Sequence, residues 1–409
     1  MFSKHDCTLS FINVFKGNFM QPSLSDLKII IYGFGITGKW LSDNINCDFI
    51  IDTDSKKWGN VYNNKKVVSP SVLADINLTE YIVIVTVVDI FDVIPLLKYY
   101  NAKWKSLSEI LDENYLIGYN LTNESDEFLR YSIETVLKCQ VAFRNPEKFY
   151  IRSVDLVITE KCTLKCKDCA NLMQFYEKPN TYDYDSIIQG IMELSNKANF
   201  IHEVRIIGGE PFLNKDIYKI INKISTIENV NKIIIYTNGM IPPKEEELVN
   251  ISNKNNVLFS VTDYDELGKN LNQTLTMLKK HNFAFRVHPP EHWTDSGKIL
   301  DLNLDIDKAK NLFAKCCGKN LFTLISDKLY RCPFAANADN LHALPQSDNN
   351  YISVNDDKDN IKNYLYEIDY IDACKLCPGR SFDSPIIKPA IQVKKPIAYQ
   401  KYIPLNFQR

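Results

Sequence analysis

Three cysteines, Cys162, Cys166 and Cys169, stand four and three residues apart in the stretch Glu160-Lys161-Cys162-Thr-Leu-Lys-Cys166-Lys-Asp-Cys169. Thiolates at this spacing can wrap one corner of a cubane iron–sulfur cluster, and three protein ligands for four irons leave one iron open to another kind of ligand. A tetrahedral zinc at the same place would need a distant fourth ligand. A second group, Cys316, Cys317, Cys332, Cys374 and Cys377, comes much later, with Cys374 and Cys377 as a tight pair. A third pattern is Gly33-Phe-Gly35-Ile-Thr-Gly38, followed by Asp52 and Asp54. Glycines so placed let backbone N–H groups approach a phosphate, and the acid stands near where a ribose hydroxyl is usually bound.

Each pattern falls where a strand should end. Leu27 to Tyr32 reads as a buried strand running into the glycine turn; a helix to about Asn46 and a strand from Cys47 to Ile51 follow. A strand from Tyr81 to Val88 and a helix near Ile90 to Tyr100 continue the alternation, which predicts a small parallel α/β domain over 1–105. The glycines then serve either nucleotide binding or βα packing in a docking module. Residues 106–149 read as a helical connection without a catalytic signal. Ile151 to Thr159 is the strand that delivers the first cysteines, and His202 to Ile207 is the next, ending in Gly208-Gly209-Glu210-Pro211. Helices then alternate with strands at Lys232 to Tyr236, Val257 to Val261 and Phe283 to His288. Right-handed parallel crossovers of this kind build a partial (β/α)6 barrel over 150–305, with functional groups at the C-terminal strand ends.

The chain has 409 residues, formal net charge -2 and 11 cysteines. The balanced charge predicts no nucleic-acid partner, and the apolar runs are too short for a membrane span. The start, MFSKHDCTLSFINVFKG, has no apolar signal core, so a reducing cytoplasmic setting is expected and the clustered cysteines read as metal ligands. Cys7, Cys47 and Cys139 lie singly and read as inert thiols.

The Cys162/Cys166/Cys169 spacing at the end of a first strand, with Gly208-Gly209-Glu210-Pro211 at the end of the second, resembles the radical S-adenosylmethionine (SAM) superfamily. The resemblance implies a [4Fe–4S] cluster on the three cysteines and SAM on the open iron. It also implies that Gly208, Gly209, Glu210 and Pro211 hold the SAM amino group, with Asn238, Ser260 and Thr262 as candidates for its ribose or carboxylate. Their other reading is as turn and cap residues. Reductive cleavage of SAM to a 5′-deoxyadenosyl radical that takes hydrogen from a substrate is the implied activity. A flavodoxin or ferredoxin would be the electron donor. Asp168 stands where the family often has an aromatic residue against the adenine.

Residues 306–409 resemble the twitch/SPASM auxiliary-cluster domains of that superfamily. A hairpin turning at Ser326-Asp327 would bring Cys316 or Cys317 to Cys332, and the implied ligands of a second [4Fe–4S] cluster are Cys317, Cys332, Cys374 and Cys377, with Cys316 as the alternative. The same four thiolates would also suit a structural zinc. Residues 27–105 resemble the short Rossmann-like domains found before sugar-modifying transferases, with Gly33, Gly35, Gly38 and Asp52 as nucleotide or nucleotide-sugar contacts. The expected substrate is therefore a sugar, nucleotide-activated sugar or other glycoconjugate, with dehydrogenation or epimerisation as the reaction. Two rivals remain, a peptide-modifying maturase and a zinc-stabilised binding protein. Glu291, His292, Trp293 and Asp295 are weak candidates for a substrate-facing loop.

Overall fold

The computed structural model describes residues 27–111, 124–290, 293–381 and 384–402. The chain divides into two compact units between Lys148 and Phe149.

The first unit contains β1 (Lys28–Tyr32), α1 (Ile36–Asn44), β2 (Phe49–Ile51), β3 (Val61–Tyr62), β4 (Lys65–Val68), β5 (Tyr81–Val85), α2 (Ile94–Tyr99), β6 (Trp104–Ser106) and α3 (Glu124–Phe143). Its sheet has the order β3-β4-β2-β1-β5-β6, parallel except for the β3–β4 pair. Strand β1 is central, and Ile30, Ile31 and Tyr32 are all buried. That explains an uninterrupted apolar run where a one-faced strand would alternate. The segment read as a connection is packed into this unit: Ile133, Val136 and Leu137 of α3 share a core with Ile31, Leu41, Ile50 and Ile84. Buried Gln140 on α3 donates to the carbonyls of Val85 (2.8 Å) and Val87 (3.0 Å) and accepts from Ser108 N–H (3.0 Å). It thereby satisfies backbone at the end of β5 that the ladder leaves open.

The second unit begins with β7 (Tyr150–Thr159), α4 (Tyr184–Lys197), β8 (Phe200–Gly208), α5 (Ile217–Ile224), β9 (Val230–Thr237), α6 (Glu245–Leu248), β10 (Val257–Thr262), α7 (Leu271–Lys280) and β11 (Ala284–His288). It continues with α8 (Ile306–Lys315), β12 (Thr323–Ile325), β13 (Lys328–Tyr330), α9 (Pro333–Asn340), β14 (Tyr351–Ser353) and α10 (Lys358–Tyr366). All eight strands form one open sheet, ordered β11-β10-β9-β8-β7-β12-β13-β14. The strands from β11 to β12 are parallel, while β12, β13 and β14 are antiparallel to one another. Residues 150–305 thus supply five parallel strands rather than six. The sixth is β12, which pairs with β7 through Thr323↔Asp155 and Leu324↔Leu156.

Alternation along the strands divides the two faces of this sheet. Val154, Leu156 and Ile158 of β7, Val204 and Ile206 of β8, and Ile233 and Ile235 of β9 join Ile217, Ile220, Ile221 and Ile224 of α5 in one core. Full burial stabilises each such side chain by about 1.5–3 kcal/mol. The opposite face carries Asp155, Glu203, Arg205, Tyr236, Ser260 and Arg286. Among the described residues no helix is long and apolar enough to cross a membrane.

Candidate active site

A cavity of about 350 Å³ opens at the C-terminal ends of β7 to β10. Cys162, Cys166 and Cys169 form part of its wall, together with Gly208, Gly209, Thr237, Asn238 and Thr262 from the following strand ends. Further down the strands it is lined by Asp155, Arg205 and Tyr236. Glycine is required at position 209 by a close approach. A Cβ there would lie 2.6 Å from Cys162 Cβ, because Gly209 N–H and Glu210 N–H donate to the carbonyls of Thr159 (3.0 Å) and Lys161 (2.8 Å). The second strand end is therefore laced directly onto the cysteine loop. Buried Glu160 fixes the start of that loop, accepting from Asn180 N–H (2.6 Å), Tyr182 Oη–H (2.8 Å) and Asn340 Nδ2 (2.5 Å).

Burial pushes the Cys162 thiol up to about 12 and the Cys166 thiol to about 11, and it raises Cys169 as well. Each sulfur is also an acceptor site: Asn238 Nδ2 lies 3.8 Å from Cys162 Sγ, and Gln392 Nε2 lies 3.2 Å from Cys166 Sγ. Glu210 is fully enclosed, and its carboxylate accepts from Thr237 Oγ1–H (2.9 Å), Asn238 N–H (2.9 Å) and Phe212 N–H (3.3 Å). Desolvation outweighs those bonds and lifts its pKa to about 7. Pro211 opens the short turn that follows. Ser260 is not on the cavity wall; its hydroxyl meets Arg286 Nε (2.9 Å) and His288 Nε2 (3.2 Å) on β11. Asp168 does line the cavity, as do Tyr264 and Trp293. Trp293 thus comes from the loop expected to face substrate, whereas Glu291 and His292 lie outside the described residues. Asp295 is paired with Lys298 at 2.7 Å.

The Asp155–Arg205 pair was not singled out in sequence. The two are register partners on β7 and β8, joined at 2.6 Å, with Glu203 3.9 Å from the same guanidinium. Burial raises the Asp155 pKa, and the Arg205 charge opposes that rise. The one available signal was a charged residue at alternate positions in otherwise apolar strands.

The later cysteines form a second cluster of thiols. Cys316 caps the end of α8, Cys332 caps the start of α9 with its sulfur accepting from Ala335 N–H (3.4 Å), and Cys374 lies on the turn Asp372–Leu376 just before Cys377. Burial is the largest cause of raised pKa values at Cys332 (about 12), Cys374 (about 11) and Cys377, and the charge of Cys316 adds to all three. Burial also raises the Cys317 thiol, with Arg380 opposing the rise and the charge of Cys316 adding to it. The charge of Cys316 thus reaches the other three thiols, and both members of the adjacent pair stand at the end of α8 as candidates. Among the described residues no three His, Cys, Asp or Glu side chains converge on a single-ion site.

In the first unit the glycine turn is also built as expected. Gly33 has φ +115, a left-handed value that favours glycine, while Gly35 precedes α1 and buried Gly38 packs against the Gly33 carbonyl. Asp52, however, is engaged within the unit. Its carboxylate accepts from Phe34 N–H (2.7 Å), Asp54 N–H (2.9 Å) and Lys57 Nζ (3.1 Å), so it holds the glycine turn itself. Cys47 and Cys139 are buried, and Cys7 lies outside the described residues.

Residues 156–299 match the profile of the Radical SAM superfamily. The chain is 29% identical over 131 residues to the GTP 3′,8-cyclase of Limosilactobacillus fermentum, covering 30% of this chain and 39% of that protein. It is 31% identical over 142 residues to the GTP 3′,8-cyclase of Clostridium acetobutylicum, covering 31% and 44%. The chain therefore spans less than half the length of these curated relatives. Among solved structures it overlaps BtrN in complex with AdoMet and 2-DOIA, at 15% identity and a TM-score of 0.36, over 56% of this chain and 93% of that one. The donor set fits the cofactor of this superfamily, because three cysteines share one cavity wall with room beside them for a ligand that is not protein. The stretch 156–299, with its cysteine loop and its glycine-rich second strand end, is a radical SAM domain.

Proposed function

We propose that this radical SAM enzyme takes hydrogen from a sugar, a nucleotide-activated sugar or a glycoconjugate, and that the product is the oxidised or epimerised carbohydrate. The observation that carries the substrate class is the polar floor of the cavity, made by Asp155, Arg205 and Tyr236. An apolar substrate would strip water from these groups without replacing its hydrogen bonds, at a cost of about 1–3 kcal/mol for each group left so. Sugar hydroxyls both donate and accept, and so suit an acid, a guanidinium and a phenol together.

Cys162, Cys166 and Cys169 would hold a [4Fe–4S] cluster, which when bound would supply the electron for reductive cleavage of SAM. The residues of this chain bind, orient and enclose. Gly208 and Gly209 line the place for the SAM ammonium, and Glu210, buried behind them on Thr237, Asn238 and Phe212, would be favoured in its ionised form by that charge. Asn238 and Thr262 serve its ribose or carboxylate, and the rings of Tyr264 and Trp293 offer the flat surface that Asp168 lacks. Cys316, Cys332, Cys374 and Cys377 together hold a twitch-like auxiliary [4Fe–4S] cluster. Four protein thiolates close that cluster to substrate and suit it to accept an electron, which favours dehydrogenation over epimerisation. The first unit, 27–148, contributes docking or nucleotide recognition through its glycine turn.

A second reading follows from the relatives named for GTP 3′,8-cyclisation, which would make the substrate a nucleoside triphosphate. The test is anaerobic incubation with dithionite and SAM against nucleotide sugars, free glycosides, GTP and peptides. 5′-Deoxyadenosine and substrate mass are followed by mass spectrometry. A hydroxylated substrate that loses two mass units, or exchanges hydrogen without mass change, supports the proposal. Turnover of GTP without loss of mass would replace it with the cyclase reading, and turnover of peptides alone would refute it.

A further inference from the structure

We infer that the C-terminal segment 384–402 is a strap over the SAM-cluster loop, and that Gln392 tunes that cluster through an N–H···S hydrogen bond to Cys166. The inference rests on the radical SAM reading of Cys162, Cys166 and Cys169. Two backbone bonds lay the strap antiparallel to the loop, from Lys167 N–H to the Ile391 carbonyl (2.7 Å) and from Val393 N–H to the Lys165 carbonyl (2.8 Å). Between them the Gln392 side chain is held at both ends. Its Oε1 accepts from Lys165 N–H (2.7 Å), and its Nε2 donates to the Ala390 carbonyl (2.8 Å) and to Cys166 Sγ (3.2 Å). Only this orientation of the amide satisfies all three partners.

The strap is anchored on either side of this contact. Ile387 N–H donates to the Trp293 carbonyl (2.8 Å), Ile397 N–H to the Gln174 carbonyl (2.9 Å), and Tyr399 Oη–H to the Leu341 carbonyl (3.0 Å). Ala390 takes φ +56, a left-handed conformation that costs a non-glycine residue about 1–2 kcal/mol. It also packs with Leu164 and Cys166 in a small apolar cluster. The surrounding contacts therefore hold a strained turn in place, and that turn presents the Ala390 carbonyl to the amide of Gln392.

A donor on a ligating sulfur stabilises the electron-rich, reduced form of a cluster more than the oxidised form, which raises its potential and eases reduction by a weak donor. Gln392 acts through Cys166, so it is a positioning residue. The test compares the full-length wild type with Gln392→Glu and Gln392→Leu in an EPR-monitored redox titration, with iron content measured in parallel. Gln392→Glu keeps an acceptor for Lys165 N–H but sets a carboxylate oxygen against the Ala390 carbonyl and the Cys166 sulfur. Gln392→Leu adds no charge, so it separates loss of the donor from added charge. The expected result for Gln392→Glu is normal iron with a more negative midpoint, read as a several-fold smaller reduced fraction at a fixed potential. Gln392→Leu is expected to shift the midpoint the same way and also to bleach faster in air. A Gln392→Leu midpoint equal to that of the wild type, in protein carrying a normal cluster, would overturn this inference alone. Wild-type protein that takes up no iron at the three cysteines would overturn the radical SAM reading with it.

Discussion

Cys162, Cys166 and Cys169 line a cavity of about 350 Å³, whereas Cys332 and Cys374 share an apolar cluster with Phe313, Phe334 and Leu376. The first group comes from a single loop at the end of one strand. The second is assembled from the end of α8, the start of α9 and a turn more than thirty residues further on. Three thiols beside open space suit a metal group that must bind a small molecule. Thiols gathered from separate elements and backed by apolar side chains suit one that exchanges only electrons, or that only stabilises. The same amino acid is thus suited to different roles according to what its fold leaves next to the sulfur.

The contrast breaks most severely at the first group. Cys166→Ala is expected to abolish 5′-deoxyadenosine formation, by at least about a thousandfold, and to remove roughly half of the bound iron while the remaining chromophore persists. Cys374→Ala should show the opposite pattern, retaining SAM cleavage while lowering the melting temperature. Cys374 is the buried member of its group, and loss of a metal held there would typically cost several kcal/mol. Iron analysis of Cys316→Ala and Cys317→Ala sharpens the comparison within the second group: the former should lose that iron and the latter keep it.

Glu210 gives a smaller effect with a defined sign. Burial holds its folded-state pKa at about 7, so the native protein binds this proton more tightly than the unfolded chain does. In SAM-free protein its contribution to stability is complete below the ordinary carboxylate range and is lost as pH rises through about 7. SAM affinity should move the other way, rising with pH as the carboxylate ionises to meet the ammonium. Glu210→Gln should weaken SAM binding about tenfold and flatten both pH profiles, as calorimetry and thermal melts would show. The mildest change is Asp52→Asn, expected to destabilise the first unit by about 1–3 kcal/mol through its bonds to Phe34, Asp54 and Lys57, with iron content unaltered.

What could be read from sequence was local in the chain. The cysteine loop and the GGEP turn each sit at the end of a strand whose apolar pattern is strong, so their meeting followed from parallel topology alone. Which of Cys316 and Cys317 is the ligand depends on how the chain leaves α8, which no spacing specifies. The pairing of β12 with β7 and the reach of Gln392 to Cys166, 226 positions apart, are long-range contacts without a local signature. Asp52 stood where a ribose ligand was expected, yet neighbouring backbone N–H groups occupy its carboxylate. Sequence could not show what the acid would touch.

Cys162, Cys166 and Cys169 are expected to make their cavity a site for reductive SAM cleavage. The most direct test is mass-spectrometric detection of 5′-deoxyadenosine after anaerobic incubation of iron-reconstituted protein with SAM and dithionite. Formation by the wild type and none by Cys166→Ala is the predicted result. Equal formation by both proteins, or none by a wild type fully loaded with iron at these cysteines, would contradict it.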